Sequence, residues 1–197
     1  MERWVLLRKG ADFEAIGKKY QISPRLACLI RNRDVIGEEA IDRYLNGTIS
    51  DLYDGMLMKD MDKAIDILKE KILEDKKIRV IGDYDIDGVN ATYILLEGLE
   101  RLGADVDSDI PDRISDGYGL NRHLVERAYK AGVDTIITCD NGIAAADEIA
   151  YGKEMGMTVI VTDHHEIPFD ERDGEKRYRI PPADAVMDPK QPDCLYP

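Results

Sequence analysis

The segment VIGDYDIDGVNAT, residues 80–92, joins the end of an apolar run to a glycine and three aspartates. The aspartates, Asp83, Asp85 and Asp87, fall within five positions of one another. Carboxylates so close together repel one another unless they bind protons or share a cation. An apolar run followed by glycine and then by a longer, partly apolar stretch is typical of a strand that leads into a helix. The segment therefore predicts a strand–helix unit with negative charge concentrated at its junction.

The composition is that of a folded globular protein. A chain of 197 residues can bury a core as one domain, or as one domain with an appendage. It contains no apolar stretch long enough to cross a bilayer and no signal-peptide core near its start. Its three cysteines are scattered and form no CxxC pair, which favours free thiols in a reducing compartment. These features predict a cytoplasmic protein without a membrane partner.

The charge is strongly negative and unevenly distributed. The net charge of −13 argues against general nucleic-acid binding by this stretch of chain, because phosphates are normally met by Lys and Arg. Between residues 83 and 116 there are ten Asp or Glu against two Arg. Such a cluster is either a solvated acidic face that keeps the protein soluble or a set of cation ligands.

The pattern of apolar residues divides the chain into two parts. In the first part the predicted helices are 12–20, 23–33, 37–45 and 60–74. From residue 77 strands alternate with helices: the predicted strands are 78–81, 105–110, 135–139, 158–162 and 183–187, and the predicted helices are 89–102, 121–132 and 143–154. Strand 105–110 has acids that should point outward, as on an edge strand. The sequence predicts an α/β domain (59–197), a parallel sheet flanked by helices, with a small amino-terminal helical appendage (1–58).

Acidic residues follow three of the predicted strands directly. Strand 78–81 leads to the three aspartates, strand 135–139 to Asp140, and strand 158–162 to Asp163, His164 and His165. The carboxyl ends of parallel strands form the edge at which sites are built, so these side chains should converge. In extended backbone the three aspartates would share one face, and the two histidines would face opposite ways.

The same residues also have simpler interpretations. An aspartate after a strand often caps a helix or forms a turn, which would account for Asp140 alone, and paired histidines can be ordinary surface residues. Taken together, carboxylates and an imidazole suit Mn²⁺ or Mg²⁺ better than a thiolate-seeking metal. A metal site would explain why the acids are held together.

Three motifs in this order resemble motifs I, II and III of the DHH phosphoesterases: GDYDIDG (82–88), TCDNGI (138–143) and VTDHHE (161–166). The segments NRDVIGEEAIDRYL (32–45), IPDRISDGYGLN (110–121) and MDPKQPDCLYP (187–197) are similar to the RecJ branch of that family, single-strand-specific 5′→3′ DNA exonucleases of repair and recombination. Ile86 and Asp188 depart from the family pattern without altering a ligand. The resemblance spans nearly the whole chain.

The resemblance implies a role for each matching residue. Asp85, Asp87, Asp140 and His164 match ligands of two divalent ions, Mn²⁺ or Mg²⁺, that hydrolyse phosphodiester bonds by a two-metal mechanism. Asp83, Asp163 and His165 match positions that support those ligands or contact the scissile phosphate. Arg113, in the loop beside the acidic edge, is either a phosphate contact or a salt-bridge partner of a neighbouring Asp.

The family pattern also continues beyond the last residue of this sequence. It adds a fourth motif with another metal-binding Asp, and further domains that grip single-stranded DNA. The resemblance therefore implies an amino-terminal piece of a longer protein that binds single-stranded DNA only in its full-length form. Two alternatives stay open: a DHH phosphodiesterase for cyclic dinucleotides, short RNA or pyrophosphate, and a DHH relative that has lost catalysis and acts as a scaffold in replication.

Overall fold

The structure is a computed structural model that describes residues 9–114, 116–172 and 174–197. The chain divides into two compact units, Met1–Leu52 and Tyr53–Pro197. This division does not decide the domain boundary predicted at residue 58, which stays a prediction. In the described residues no helix is long and apolar enough to span a bilayer.

The first unit is helical. Its helices are α1 (Phe13–Tyr20), α2 (Pro24–Asn32) and α3 (Glu38–Asn46), followed by a short 3₁₀ turn at Ile49–Asp51. Asp12 and Ser23 cap α1 and α2, because their side chains accept hydrogen bonds from backbone N–H groups of the first turn. The helices predicted from the sequence are confirmed, with ends that differ by one residue.

The second unit is built on a five-stranded parallel sheet. Its strands are β1 (Ile78–Ile81), β2 (Val106–Asp109), β3 (Thr135–Cys139), β4 (Thr158–Thr162) and β7 (Ala185–Met187); a separate hairpin contains β5 (Phe169–Arg172) and β6 (Glu175–Tyr178). The helices are α4 (Met61–Leu73), α5 (Ile86–Arg101), α6 (Arg122–Lys130) and α7 (Ala146–Glu154). The strand order is β2-β1-β3-β4-β7, and every pair is parallel. The predicted fold class is confirmed.

Alternate residues of the central strands pack against helices on opposite faces of the sheet. Ile136 belongs to an apolar cluster with Leu124 of α6 and Ile149 of α7. The next residue, Ile137, belongs to a second cluster with Leu99 of α5. Because both faces are buried, most residues of the central strands are apolar, which is why the sequence pattern located them well.

The β5–β6 hairpin was not predicted. Its register is antiparallel, with Phe169 opposite Tyr178. Strand β6 is exposed along its whole length and is mostly polar, so it lacks the apolar pattern by which strands are recognised. It lies in a separate sheet and does not change the order of the strands that position the candidate site.

Asp107 and Asp109 of the edge strand do not point freely into solvent, contrary to the expectation from their alternation, whereas Asp105 before β2 is exposed as expected. The Arg79 guanidinium of β1 donates to both oxygens of Asp107 at 2.5 and 2.7 Å. Arg127 of α6 donates to both oxygens of Asp109 at 2.8 and 2.5 Å. Part of the acidic cluster counted in the sequence is therefore neutralised by arginines within the fold.

Candidate metal centre

The backbone of the first acidic segment was predicted to be extended, but it turns into a helix instead. Helix α5 begins at Ile86 rather than near Val89, because the Asp85 side chain accepts a hydrogen bond from Gly88 N at 3.0 Å and caps the helix. That hydrogen bond lowers the pKa of Asp85. Asp83, two residues before the cap, is fully buried, whereas Asp87 is exposed in the first helical turn. The three carboxylates therefore approach the site from a loop, a cap and a helix.

Two glycines of the same motif allow α5 to begin so close to the end of β1. A Cβ added at Gly82 would lie 1.9 Å from Oγ1 of Thr92 in α5 and would therefore clash with that side chain. A Cβ added at Gly88 would lie 2.6 Å from the carbonyl oxygen of Asp83. Only glycine permits both contacts, so these residues set the distance between the buried Asp83 and the helix that follows it.

Asp140 lies at the end of β3 in the left-handed region, with φ of 60°. The side-chain amide of the next residue, Asn141, donates to the carbonyl oxygens of Ile81 at 3.1 Å and Cys139 at 3.0 Å. Asn141 therefore joins the carboxyl ends of β1 and β3. This cross-link fixes the buried Asp140 beside the aspartates that follow β1.

The three acidic strand ends converge on one edge of the sheet. Asp83, Asp85 and Asp140 each offer an oxygen atom such that these atoms lie within 4.8 Å of one another. His164 Nε2 lies 2.7 Å from Asp140 Oδ1 and 4.0 Å from Asp87 Oδ2. The geometry brings together all four residues proposed as ligands, although their role as ligands stays a prediction.

The two histidines do not face opposite ways, and that expectation is wrong. Their ring centroids are 4.6 Å apart, and one ring nitrogen of each lies within 4.8 Å of the other and of an Asp140 oxygen. Strand β4 ends at Thr162, and Asp163 Oδ1 then accepts hydrogen bonds from the backbone N–H groups of His164 and His165. This local turn replaces the extended backbone on which the expectation depended.

Asp163 is occupied by hydrogen bonds within the protein. Besides the two N–H groups of the turn, its Oδ1 lies 2.7 Å from His165 Nδ1, and its Oδ2 accepts from Ile143 N at 2.9 Å. The hydrogen bond from His165 to Asp163 raises the pKa of the His165 imidazole. Asp163 therefore holds the loop after β3 and the loop after β4 together and orients one histidine ring.

Other carboxylate oxygens in the site are buried without a hydrogen-bond partner of normal geometry among the described residues. They are both oxygens of Asp83, Oδ2 of Asp140 and Oδ2 of Asp188. Burial raises the pKa of all three carboxyl groups, although the Tyr84 and Gly119 amides lie near enough to Asp83 to oppose the shift in part. Unpartnered buried carboxylates are costly, and a cation between them removes that cost. Hard oxygens with an imidazole nitrogen fit Mn²⁺ or Mg²⁺.

Asp188, Asn141 and Tyr118 were not among the predicted site residues. Asp188 is fully buried and directly follows β7, the neighbour of β4, so β7 is the fourth strand on this edge that is followed by an acid. The sequence contains the same signal for Asp188 as for the other acids, because Asp188 directly follows the predicted strand 183–187. Tyr118 has no comparable signal: its hydroxyl lies 3.2 Å from His165 Nε2, a contact across 47 positions of sequence.

Arg113 lies near the site, and its neighbour there is Tyr84 rather than one of the two predicted partners, a substrate phosphate or a neighbouring Asp. Its guanidinium stands over the ring of Tyr84, 5.3 Å from the ring centroid, in a cation–π contact. The structure does not decide between the predicted phosphate contact and the predicted salt bridge, so both stay predictions.

A parallel α/β sheet with a cluster of carboxylates and imidazoles at its strand ends defines a class of metal-dependent proteins. Residues 77–195 match the DHH family, N-terminal domain, and the chain belongs to that family. The resemblance seen in the motifs is thereby confirmed.

Curated relatives extend the similarity to nearly the whole chain. The single-stranded-DNA-specific exonuclease RecJ of Bacillus subtilis is 39% identical over 196 residues, which is 99% of this chain and 24% of that protein. The Escherichia coli protein of the same name is 30% identical over 198 residues, 100% of this chain and 32% of its own length. The chain thus spans a quarter to a third of the length of these relatives.

Solved structures agree with the fold. A crystal structure of exonuclease RecJ bound to manganese matches with a TM-score of 0.58 at 38% identity, covering 69% of this chain and 33% of that one. RecJ from Thermus thermophilus in complex with Mn²⁺ matches with a TM-score of 0.60 at 30% identity, covering 92% of this chain and 24% of that one.

Proposed function

We propose that this chain forms the metal-binding part of a hydrolase that degrades single-stranded DNA from the 5′ end. The observation that carries the proposal is the convergence, with His164 at one sheet edge, of buried carboxylate oxygens that have no hydrogen-bond partner among the described residues. Relatives that match nearly all of the chain are single-stranded-DNA-specific exonucleases, and two similar structures hold manganese. A cytoplasmic location and a role in repair and recombination belong to the same proposal.

In this proposal Asp85, Asp87, Asp140 and His164 hold two divalent ions, Mn²⁺ or Mg²⁺. Bound ions of this kind polarise a phosphoryl oxygen and lower the pKa of water. The surrounding residues keep the ligands in place. Asp85 caps α5 and so fixes the turn that carries Asp87.

Asp83, Asp163 and His165 support the ligands or contact the scissile phosphate in the proposed reaction. Asp83 is fully buried two residues before Asp85, and its carboxylate adds negative charge that favours a nearby cation. Asp163 orients His165 through the 2.7 Å contact at Nδ1. The His165 side chain is 44% exposed, so a phosphate of the substrate can approach the ring.

The charge of the chain bears on how DNA is held. A net charge of −13 gives no general attraction for a phosphate backbone. We therefore propose that residues 1–197 supply the metal site, and that single-stranded DNA is held mainly by basic and aromatic surfaces of the kind that other single-strand binders use, in a longer protein. The chain by itself should bind single-stranded DNA weakly, even with Mn²⁺ present.

A chimaera tests the proposal. Residues 1–197 would replace the matching segment of the Bacillus subtilis relative, and the product would be assayed with Mn²⁺ on single strands labelled at the 5′ end. We expect degradation from that end, and we expect Asp85→Ala to abolish it while filter binding of DNA changes little. The control is Asp105→Ala, which removes an equal charge from an exposed residue. Asp105 directly precedes β2 and so lies at the amino ends of the strands, away from the candidate site.

The outcomes separate the proposal from its alternatives. A chimaera in which Asp85→Ala cuts DNA at close to the unsubstituted rate would contradict the assigned chemistry. A panel that includes short RNA, a cyclic dinucleotide and pyrophosphate identifies a different phosphodiesterase if one of these is hydrolysed in preference to DNA. A chimaera that binds DNA and Mn²⁺ but hydrolyses nothing would indicate a scaffold.

A further inference from the structure

The His165 ring has a neighbour at both of its nitrogen atoms. Nδ1 lies 2.7 Å from Asp163 Oδ1, and Nε2 lies 3.2 Å from the Tyr118 hydroxyl. An ionised carboxylate only accepts hydrogen bonds, so the proton of a neutral His165 lies on Nδ1. Nε2 then has a lone pair, which accepts a hydrogen bond from the Tyr118 hydroxyl.

The Asp163 end of this chain of contacts is rigid. The second oxygen of Asp163 accepts from Ile143 N at 2.9 Å, so the carboxylate is held independently of the ring. A single hydrogen bond at Nδ1 still lets an imidazole swing about that contact. A second contact at Nε2 removes this freedom, because the two nitrogens lie on different edges of the ring.

The Tyr118 end is shaped by the loop that carries it. Gly117 and Gly119 on either side have φ of 80° and 69°, a region that side-chain-bearing residues rarely occupy, so the loop conformation depends on both. The Tyr118 ring packs edge-on against Tyr84 with the centroids 6.0 Å apart. Burial raises the pKa of Tyr118 to about 12, so its hydroxyl keeps the proton that it donates.

We propose that Tyr118 is a positioning residue. Its hydrogen bond to Nε2, together with the contact of Asp163 at Nδ1, holds His165 in one orientation and one tautomer. The proposal rests on the proposed function for its kinetic consequence, but its structural part is independent of catalysis. Tyr118 acts only through His165: it fixes the orientation of an imidazole ring that a substrate phosphate would approach.

The structural part is tested by nitrogen NMR on the metal-free chain, which contains only three histidines. Long-range proton–nitrogen spectra distinguish a protonated ring nitrogen from one that accepts a hydrogen bond, and His165→Gln identifies the His165 signals. We expect the Nδ1–H tautomer in the unsubstituted chain. In Tyr118→Phe we expect the Nε2 signal to move downfield as its hydrogen bond is lost, while Nδ1 keeps its proton.

The kinetic part is tested in the chimaera described above. Tyr118→Phe should lower kcat about fivefold, the worth of one hydrogen bond, and leave KM for single-stranded DNA unchanged. The matched control is Tyr151→Phe, which also removes one tyrosine hydroxyl bond, to Glu126 Oε1 at 3.4 Å, and should change neither the spectrum nor kcat.

Three results would overturn the proposal. They are an Nε2–H tautomer in the unsubstituted chain, an Nε2 signal that does not respond to Tyr118→Phe, and a rise in KM or a fall in melting temperature that accounts for the loss of activity. If the unsubstituted chimaera hydrolyses no DNA, the proposed function fails, while the NMR result still decides whether Tyr118 positions His165.

Discussion

Two groups of aspartates on the same sheet are neutralised in different ways. Asp107 and Asp109 of the edge strand each accept two hydrogen bonds from an arginine. Asp83, Asp140 and Asp188 at the strand ends are more deeply buried, yet each has an oxygen without a normal hydrogen-bond partner among the described residues. The carboxylates of the first group are paired within the fold, whereas those of the second have buried oxygens that a cation could complement.

The pKa of Asp107 shifts in the opposite direction from those of Asp140 and Asp188. Burial acts to raise the pKa of Asp107, but Arg79 and Lys77 outweigh it and the pKa is lowered. At Asp140 and Asp188 burial is not outweighed, and the pKa of each is raised. The same residue type thus stabilises the fold where an arginine faces it and lowers the stability of the metal-free protein where none does.

The largest expected effect is on metal binding. Asp140→Asn should lower Mn²⁺ affinity roughly 100-fold, because loss of a direct ligand should cost at least as much as loss of a residue that supports one. Asp107→Asn removes the same charge from the arginine-paired group and should leave Mn²⁺ affinity within about twofold, since Asp107 is paired with Arg79 and lies outside the proposed ligand set. Isothermal titration calorimetry on the three proteins measures both effects.

Equal Mn²⁺ affinity in Asp140→Asn and the unsubstituted chain would remove Asp140 from the ligand set. A similar loss in both variants would show that net charge rather than coordination governs binding, and the distinction between the two groups of aspartates would fail.

The next effect is on folding. Asp107→Asn should lower the free energy of unfolding at pH 7 by about 1–2 kcal/mol, because Arg79 is left with a poorer partner. The Arg79 side chain is only 11% exposed, whereas that of Asp107 is 34% exposed, which reduces the expected loss. Urea unfolding of this variant and of the exposed Asp105→Asn gives the comparison. Equal stability of the two variants would mean that the Arg79 pair contributes no more than a surface charge.

The sequence predicted the parts of this contrast that depend on strand order. Apolar strands buried on both faces located the sheet, and the parallel order placed Asp85, Asp140 and Asp163 on one edge. The pairing of Arg79 with Asp107 could not be predicted, because it depends on the register in which β1 and β2 align these two residues. Such a register is set by packing, and local sequence contains little trace of it.

Local backbone at the site was predicted least well. Asp85 acts as a helix cap and His164 follows a tight turn, and both replaced the extended geometry that was expected. Side-chain hydrogen bonds to backbone N–H groups decide these conformations, and they compete with strand geometry at the residues where strands end. The predicted edge was therefore correct, whereas the directions of individual side chains at it were not.

A smaller effect is expected at Asp188, the buried acid beside Asp163. Asp188→Asn keeps an oxygen to accept the 2.8 Å hydrogen bond from Lys190 N and removes a buried charge. We expect the metal-free chain to gain about 1 kcal/mol in its free energy of unfolding at pH 7. A loss of stability in urea unfolding would mean that the second Asp188 oxygen has a partner and that this acid belongs with the arginine-paired group.

The smallest effect is the change with pH in the stability differences of Asp107→Asn and Asp188→Asn, and the pH range of this change distinguishes the two residues. The folded-state pKa of Asp107 is lowered, so its contribution to stability is complete above the unfolded value of about 4 and is lost as the pH falls through the folded value. The folded-state pKa of Asp188 is raised, so its cost is complete at pH values above the folded value and disappears as the pH falls toward about 4. Unfolding of both variants and of the unsubstituted chain, without metal and from pH 7 to 3, should show the Asp188→Asn advantage vanish before the Asp107→Asn deficit begins to shrink. If both differences vanish over one pH range, the two groups of aspartates share one electrostatic environment, and the contrast between them does not exist.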